Sequence, residues 1–495
     1  MENRRCLIVA LVAVFSIVGV KSQTLREYQE ISGAYGGGDF APMWHMSNRQ
    51  GLASEQPKFG YARLGVMGNH AFKQSGIELD WGADVVTGVE MTSPVFVQQA
   101  YVDLSWKQFR LSVGQKERWG ELGNWRLTSG NLVESGNARP IPQVRIDMPE
   151  YWNVPGCKGW FGLKGHLAYG FFTDGAWQER FFAEASVHTR NVLYHSKEIL
   201  FRFGNGDRFP LTAELGLQMV TQFGGECFNS DNKPGNNHKN PVRLKDFWLA
   251  FMPLKGDEAY DGSDQANVAG NVLGDWKGAI RWNDRDWALQ LYYDHTFNDH
   301  SQMFWEYGLW TEQLVGIELE FKKCKWVRNI ALEYFNLKNQ SGPVYHDSTH
   351  EIPDQISCKD NNYNHARYAG WFNYGMMIGT PLCSAPVYNS NKLQRCYNNR
   401  VEAFHVGVEG SLNPWLGYRM LLTRSNNWGT YKHPFKEIKQ NTSGMMELTF
   451  KPQKLKNWSI TASYAFDDGD LYGKNVGGML TIRRCGVYDF NKIKK

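Results

Sequence analysis

The sequence predicts an all-β protein, a transmembrane antiparallel β-barrel of the outer-membrane type. Three observations predict it: a secretory signal at the N-terminus, a polar composition rich in aromatic residues and glycine, and roughly 16 to 20 segments with alternating apolar and polar side chains. The chain has 19 Trp, 23 Tyr, 28 Phe and 50 Gly, with a mean hydropathy of −0.49. No long apolar stretch follows the signal, so helical membrane spans are excluded.

Residues 1–22 have the organisation of a secretory signal peptide. Arg4 and Arg5 precede an apolar run at 7–20, and the small residue Ser22 lies at the expected cleavage site before Gln23. The run holds about 14 residues, short of the roughly 20 that a spanning helix needs. Cys6 precedes this run, so it does not lie where a lipid-modified cysteine would. We therefore expect export through a cleaved signal to a Gram-negative type outer membrane, with residues 23–495 as the mature barrel.

Two-faced strands recur along the mature chain. In residues 287–293 the odd positions carry Trp, Leu, Leu and Tyr, whereas the even positions are mostly small or polar. Residues 315–321 and 330–334 repeat this alternation, and 458–466 shows it most cleanly. The alternation predicts that Leu289 and Leu319 contact lipid. It also places residues 488–495 beyond the last apparent strand.

The number and length of these segments favour a barrel. Many are about ten residues long, as a tilted membrane strand requires. A propeller would also need many strands, but it should repeat every roughly 40 to 50 residues, and no such repeat is found. Closure into a barrel removes the exposed edges that so many strands would otherwise present. We therefore favour one barrel with long polar loops over a secreted all-β protein.

Charge and cysteine content add two constraints. The formal net charge is +4, falling to about +2 after removal of the signal, so nucleic acid is not an expected partner. Seven cysteines remain after cleavage, and none has the spacing of a zinc or thioredoxin-like site. A disulfide among Cys358, Cys383 and Cys396 stays open, with buried or free thiols the simpler interpretation.

The segment 340–371 is too polar for lipid and combines hydrogen-bonding with aromatic side chains. Sugar hydroxyls need donors and acceptors, and sugar C–H faces pack against aromatic rings. The alternative is that the same residues tie a long loop to itself, because Asn, Asp, Pro and Gly are turn formers. The glycan-binding candidates are Tyr345, Asp347, Asp354, Gln355, Asp360, Asn361, Tyr363 and Trp371.

Catalytic and metal-binding patterns are weak. On a strand, the possible ligands Asp294, His295, Asp299 and His300 alternate between faces, so one metal would need a turn between them. Acidic residues that could suggest a glycosidase pair are expected on the lumen face of a barrel in any case, namely Glu306, Glu318 and Glu320. No nucleophile elbow, phosphate loop or dinucleotide fingerprint is present. We therefore predict no enzyme, no metal and no cofactor.

Several order-specific runs resemble the capsule assembly Wzi family. They lie at 292–295, 299–308, 340–347, 352–357, 360–361 and 428–431, and the likeness extends from about Gly33 to the last strand. The resemblance implies an 18-stranded outer-membrane barrel that acts as a surface lectin and holds exported capsular polysaccharide on the cell. The best-known member has a small helical bundle at its periplasmic end, whereas residues 23–40 here are short and Gly-rich.

Three functions therefore remain open: a polysaccharide-retaining lectin, a passive or carbohydrate-selective outer-membrane porin, and a barrel enzyme. The resemblance favours the lectin. Its expected partners are capsular or surface polysaccharide and outer-membrane lipid. The capsule export machinery is a further candidate partner. A porin predicts measurable conductance through an open lumen, and a lectin with a plugged lumen predicts almost none.

Overall fold

Eighteen antiparallel strands form one closed barrel in the computed structural model, which describes residues 23–260, 265, 268–298, 303, 312–340, 346–347, 355–356 and 361–490. Each strand pairs with its neighbours in the sequence. The barrel strands are β1 (Thr24–Gly37), β2 (Lys58–Phe72), β3 (Ile77–Val89), β4 (Val95–Trp106), β5 (Phe109–Gln115), β6 (Gln143–Asn153), β7 (Phe161–Phe171), β8 (Leu193–Phe203), β9 (Leu211–Phe223), β10 (Asn271–Asn283), β11 (Trp287–Asn298), β12 (Gln313–Phe321), β13 (Asn329–Asn336), β14 (Val401–Asn413), β15 (Leu416–Gly429), β16 (Pro434–Phe450), β17 (Trp458–Gly469) and β18 (Asn475–Asp489).

The first and last strands close the barrel. Their register runs from Thr24 opposite Asp489 to Gly37 opposite Val476. Strand β18 therefore includes Tyr488 and Asp489, and the prediction that residue 488 lies beyond the last strand was wrong by two residues. The alternation is weak there because Cys485, Val487 and Tyr488 are all exposed.

Alternating side chains give the wall an apolar outside and a mixed inside. The register places Leu289 of β11 opposite Leu319 of β12, and Leu291 opposite Ile317, all on the outward face. Leu291 and Ile317 are exposed to the surroundings of the barrel. The even residues of β11 point inward, and Tyr292 is buried in the lumen. This confirms the face assignment made from the sequence.

The two ends of the barrel differ in the length of their connections. Eight turns of two to seven residues lie at one end, together with the start of β1 and the end of β18. Nine connections lie at the other end, and the longest spans residues 337–400. We call these the turn end and the loop end. In outer-membrane barrels short turns face the periplasm and long loops face outward.

The described helices are short and lie in the loop-end connections. They are α1 (Met43–Met46), α2 (Gly175–Phe181) and α3 (Leu244–Phe251). No helix in the described residues is long and apolar enough to cross a membrane. Residues 24–37 form the first barrel strand, so this stretch does not form a helical bundle. The segment 294–298 is polar enough to suggest a loop displayed by the wall, but it continues strand β11 instead.

Candidate functional site

Three loop-end connections fold into the barrel and fill the middle of the lumen. They contribute residues 41–55, 116–141 and 361–400, which together we call the plug. Its apolar side chains include Trp44, Leu132, Tyr363 and Trp371. They belong to one contiguous buried cluster that also contains inward side chains from strands β2, β3 and β8 to β18. The cross-section is therefore occupied by packed side chains at this level.

Carboxylates of four consecutive strands hold residues 124–132 of the plug to the wall. Each accepts a hydrogen bond from the plug at a donor–acceptor distance of 2.7 to 3.2 Å. Ser129 and Leu132 are fully buried, so Glu333 and Asp294 satisfy backbone donors that water cannot reach. The contacts are Leu132 N to Asp294, Asn124 N to Glu318, Ser129 N to Glu333 and Asn124 Nδ2 to Glu409.

The plug backbone lies directly against the wall at strand β14. His405 Nε2 is 2.7 Å from the carbonyl oxygen of Leu127. A Cβ added at Gly407 would lie 2.4 Å from the same oxygen, so only glycine leaves room for this approach. His405 and Gly407 of the wall thus allow the plug backbone to pack directly against strand β14.

Two of the predicted glycan contacts serve as structural anchors inside the plug. Tyr363 is 1% exposed and its hydroxyl donates to the carbonyl oxygen of Leu132 at 2.9 Å. Trp371 is fully buried, and its indole N–H donates to the carbonyl oxygen of Val133 at 2.7 Å. Both rings join residues 361–400 to residues 116–141. Neither ring presents a solvent-exposed face.

A polar cleft of about 250 Å³ lies at the loop end, and we call it the outer cleft. Four connections line it, at 172–192, 224–270, 337–400 and 430–433. Three basic side chains and one acidic side chain line the outer cleft, so it carries an excess of positive charge. These charged residues are Arg367, Arg395, Lys432 and Asp231, and the amide side chains beside them are Asn232, Asn361, Asn364 and Gln394.

The groups of the outer cleft are held by one another. Arg395 Nη2 donates to Asp231 Oδ1 at 2.6 Å, and Arg395 Nη1 lies 2.9 Å from His433 Nε2. Asn361 Oδ1 accepts hydrogen bonds from Asn364 Nδ2 at 3.0 Å and from Asn399 Nδ2 at 2.9 Å. These contacts preorganise the polar lining, which lowers the ordering cost of binding a ligand.

His365 in the outer cleft is neutral at physiological pH. Burial lowers the pKa of His365 to about 4, well below the ordinary value near 6.5. The positive charge of the outer cleft therefore comes from its arginine and lysine side chains.

The predicted site residues are thus distributed over several environments. Asn361 lines the outer cleft, whereas Tyr363 and Trp371 are buried in the plug. Asp347 and Gln355 lie opposite each other in two short paired strands, His346–Asp347 and Gln355–Ile356. Tyr345, Asp354 and Asp360 lie outside the described residues. Sequence reasoning missed Arg367, Arg395 and Lys432, because four separate connections bring the lining residues together.

Within the described part of the chain, no group of three or more His, Cys, Asp or Glu side chains is arranged to hold a metal ion. Asp294 accepts the plug bond described above, and His295 Nδ1 lies 2.8 Å from the carbonyl oxygen of Glu312. Glu318 accepts from the plug, and Glu320 accepts from Arg281 Nη2 at 2.9 Å. Asp299, His300 and Glu306 lie outside the described residues. Asp294, Glu318 and Glu320 therefore have structural partners on the lumen face.

The cysteines of the described residues are free thiols. Cys227, Cys383 and Cys396 are buried, whereas Cys324 and Cys485 are exposed and Cys157 is partly exposed. Cys358 lies outside the described residues. This fits the simpler of the two interpretations drawn from the sequence.

By sequence, the chain matches no protein-family model and no curated protein. Its structure is similar to that of Wzi, an outer membrane protein involved in group 1 capsule assembly in Escherichia coli and a carbohydrate-binding β-barrel. The TM-score is 0.55 at 13% identity, covering 94% of this chain and 85% of that chain. The outer membrane protein OprD from Pseudomonas aeruginosa matches with a TM-score of 0.47 at 9% identity, over 94% of each chain. At these identities, the similarity to Wzi shows the fold, an outer-membrane β-barrel.

Proposed function

We propose that this protein is an outer-membrane barrel lectin that helps to assemble and retain capsular polysaccharide on the cell surface, after export through a cleaved signal. The observation that carries the proposal is a lumen filled by an anchored plug, beneath a preorganised polar cleft at the loop end. In this proposal the barrel presents a saccharide-binding surface at the loop end and is not an enzyme.

The chemistry of the outer cleft suits a charged saccharide. Its amide groups can donate to and accept from sugar hydroxyls, and its excess of basic side chains attracts carboxylate or other acidic substituents. Tyr397 adds a partly exposed ring beside the cleft, with its centroid 6.3 Å from that of the His433 imidazole. An acidic capsular polysaccharide therefore matches both the hydrogen-bonding and the charge of this surface.

A porin would need a continuous water-filled path through the barrel. The plug interrupts that path, because its apolar side chains pack against buried apolar side chains of the wall such as Val220, Leu314 and Met445. We therefore place the passive or carbohydrate-selective porin second. Single-channel recording distinguishes the two, since a porin gives stable conductance steps and a plugged lectin gives almost none.

The proposal is tested in a deletion strain by measuring capsule on washed cells and capsule in the medium. We expect normal synthesis with loss from the surface, restored by the wild-type gene. Capsule that stays attached in the deletion strain would contradict the proposed function.

A cleft variant then tests the place of binding. Ala366 is exposed in the outer cleft and Lys432 is exposed at its edge, so Ala366→Trp with Lys432→Glu should block the cleft and lower its charge. We expect this double variant to release capsule while the barrel keeps its heat-modifiable migration. The matched control is Lys474→Glu, which changes the same charge at the same end at a residue 88% exposed and outside the cleft. Retention by the double variant equal to that of the control would show that binding lies elsewhere.

A further inference from the structure

A second cavity lies on the opposite side of the plug. It has a volume of about 940 Å³, within the range of ligand-binding pockets, and opens at the turn end. Plug residues from 48–52 and 117–126 form its roof, and turn residues such as Pro414, Trp415 and Lys451 lie at its mouth. We call it the inner vestibule. The plug separates the inner vestibule from the outer cleft.

The roof of the inner vestibule carries a stacked pair of indoles. The ring centroids of Trp119 and Trp125 are 4.1 Å apart and the rings are inclined by 26°. Trp119 is fixed from the plug side, because a Cβ at Gly136 would lie 2.1 Å from its ring. Trp125 is 41% exposed although it lies inside the barrel, whereas Trp44 and Trp371 of the same plug are at most 2% exposed. An open, rigidly backed indole is a surface for the C–H face of a sugar ring.

Charged side chains surround this aromatic pair. Seven basic and five acidic side chains line the inner vestibule, an excess of two positive charges. Several are paired, as in Arg126 Nε to Glu409 at 2.8 Å and Arg419 Nη2 to Glu447 at 2.9 Å. Among the described residues, however, Arg328 and Lys451 form no ion pair, and both are exposed at the mouth. They are available to a ligand that brings its own negative charge.

Three arginine side chains that line the inner vestibule also have buried N–H donors. Within the described part of the chain, the Nε atoms of Arg49, Arg419 and Arg483 are buried without a hydrogen-bond partner. All three residues line the inner vestibule. Buried donors of this kind are costly unless a ligand or water satisfies them.

We propose that the inner vestibule is a second saccharide-binding site, one that takes acidic oligosaccharide segments from the turn end of the barrel. An indole platform and unpaired basic side chains together fit a uronic-acid type sugar, with its C–H face on Trp125 and its carboxylate near Arg328 or Lys451. The site is independent of retention at the outer cleft. It gives the protein a contact with acidic saccharide on the face where the short turns lie.

The test is calorimetric titration of the detergent-solubilised full chain with oligogalacturonate. The titration uses the Ala366→Trp, Lys432→Glu background, so that the outer cleft does not contribute. We expect binding in this background and a loss of about tenfold or more for Trp125→Ala, the usual scale for truncating an aromatic anchor. Trp326→Ala is the control, because Trp326 is 66% exposed at the same end and does not line the cavity.

Two further arms separate saccharide binding from simple charge attraction and from misfolding. Arg328→Glu leaves the plug untouched and should weaken oligogalacturonate, which covers the case in which Trp125→Ala fails to assemble. Neutral maltooligosaccharide should bind at least tenfold more weakly. Equal affinity of Trp125→Ala and Trp326→Ala would overturn the site, as would polyglutamate binding as tightly as oligogalacturonate. Failure here leaves the capsule-retention assay unaffected, so the two proposals are judged separately.

Discussion

Replacing Glu333 with alanine should release residues 124–132 from the barrel wall and open the lumen. Glu333 is 4% exposed on β13 and accepts three hydrogen bonds. Thr128 Oγ1 and Ser129 N of the plug donate two of them, the latter at 2.7 Å. The hydroxyl of Tyr292 on β11, on the far side of β12, donates the third at 2.6 Å. One carboxylate thus joins the plug to two strands.

The structure gives the magnitude of the effect. Alanine leaves three buried donors without an acceptor, and each such group costs about 1–3 kcal/mol. Even the lower bound, about 3 kcal/mol in total, shifts the ratio of released to seated plug on the order of 100-fold. Glu333→Gln keeps one carbonyl acceptor and should fall between the wild type and alanine.

The assay is conductance in planar bilayers, with heat-modifiable migration as the check on barrel assembly. We expect frequent openings for Glu333→Ala and almost none for the wild type. Glu402→Ala is the matched control, because Glu402 is a carboxylate on β14 that faces outward and accepts one bond, from Tyr334 at 2.8 Å. An assembled Glu333→Ala barrel that stays as closed as the control would refute the assignment of Glu333 as a plug anchor.

Two further predictions concern the lipid face and pH. Leu289→Arg and Leu319→Arg place a charge on the outward face and should each cost about 2–4 kcal/mol near the bilayer midplane, measured by urea titration of folding into vesicles; unchanged folding at both sites would contradict the outward assignment. Burial lowers the pKa of His45 in the plug to about 3 and of His365 to about 4. The folded protein favours the neutral imidazole at both positions. The stability that this preference contributes is therefore fully present above about pH 6.5, the pKa of histidine in the unfolded chain, and is lost as the pH falls towards the pKa values of the folded protein. We expect conductance to stay near zero at pH 7 to 8 and to rise below about pH 5, less so in His45→Asn; a flat profile from pH 8 to 4 would argue against it.

Much of the barrel could be predicted from sequence, because its information is local. Period-2 alternation fixes which residues face lipid, and Leu289 and Leu319 lie opposite each other as that period requires. The predicted ends of the strands were less accurate. Residues 294–298 are polar enough to suggest a loop, yet they continue β11, since a plugged lumen supplies partners such as Leu132 N for an inward carboxylate.

The plug could not be predicted by the same means. Its contacts join residues more than 150 positions apart, such as Ser129 with Glu333, and no local pattern records them. Tyr363 and Trp371 were chosen because aromatic rings in a polar segment suggest a sugar platform. A further signal was present in the clustered Met376, Met377 and Ile378, which are too apolar for an exposed loop and are buried here. If this cluster had been predicted to be buried, the nearby rings of Tyr363 and Trp371 would have been predicted to be buried with it.

Under the proposed function, the plug also determines how the barrel holds a polysaccharide. Because packed side chains separate the outer cleft from the inner vestibule, a polysaccharide cannot be retained by threading through the lumen. It must be held by contacts at an end of the barrel, where each sugar exchanges water for protein and nets roughly 0.5–1.5 kcal/mol per hydrogen bond. A cleft of about 250 Å³ admits only a short segment of chain, so one site binds weakly. Firm retention then requires repeated units meeting many copies of the protein, since linking weak sites raises the overall avidity without any new contact.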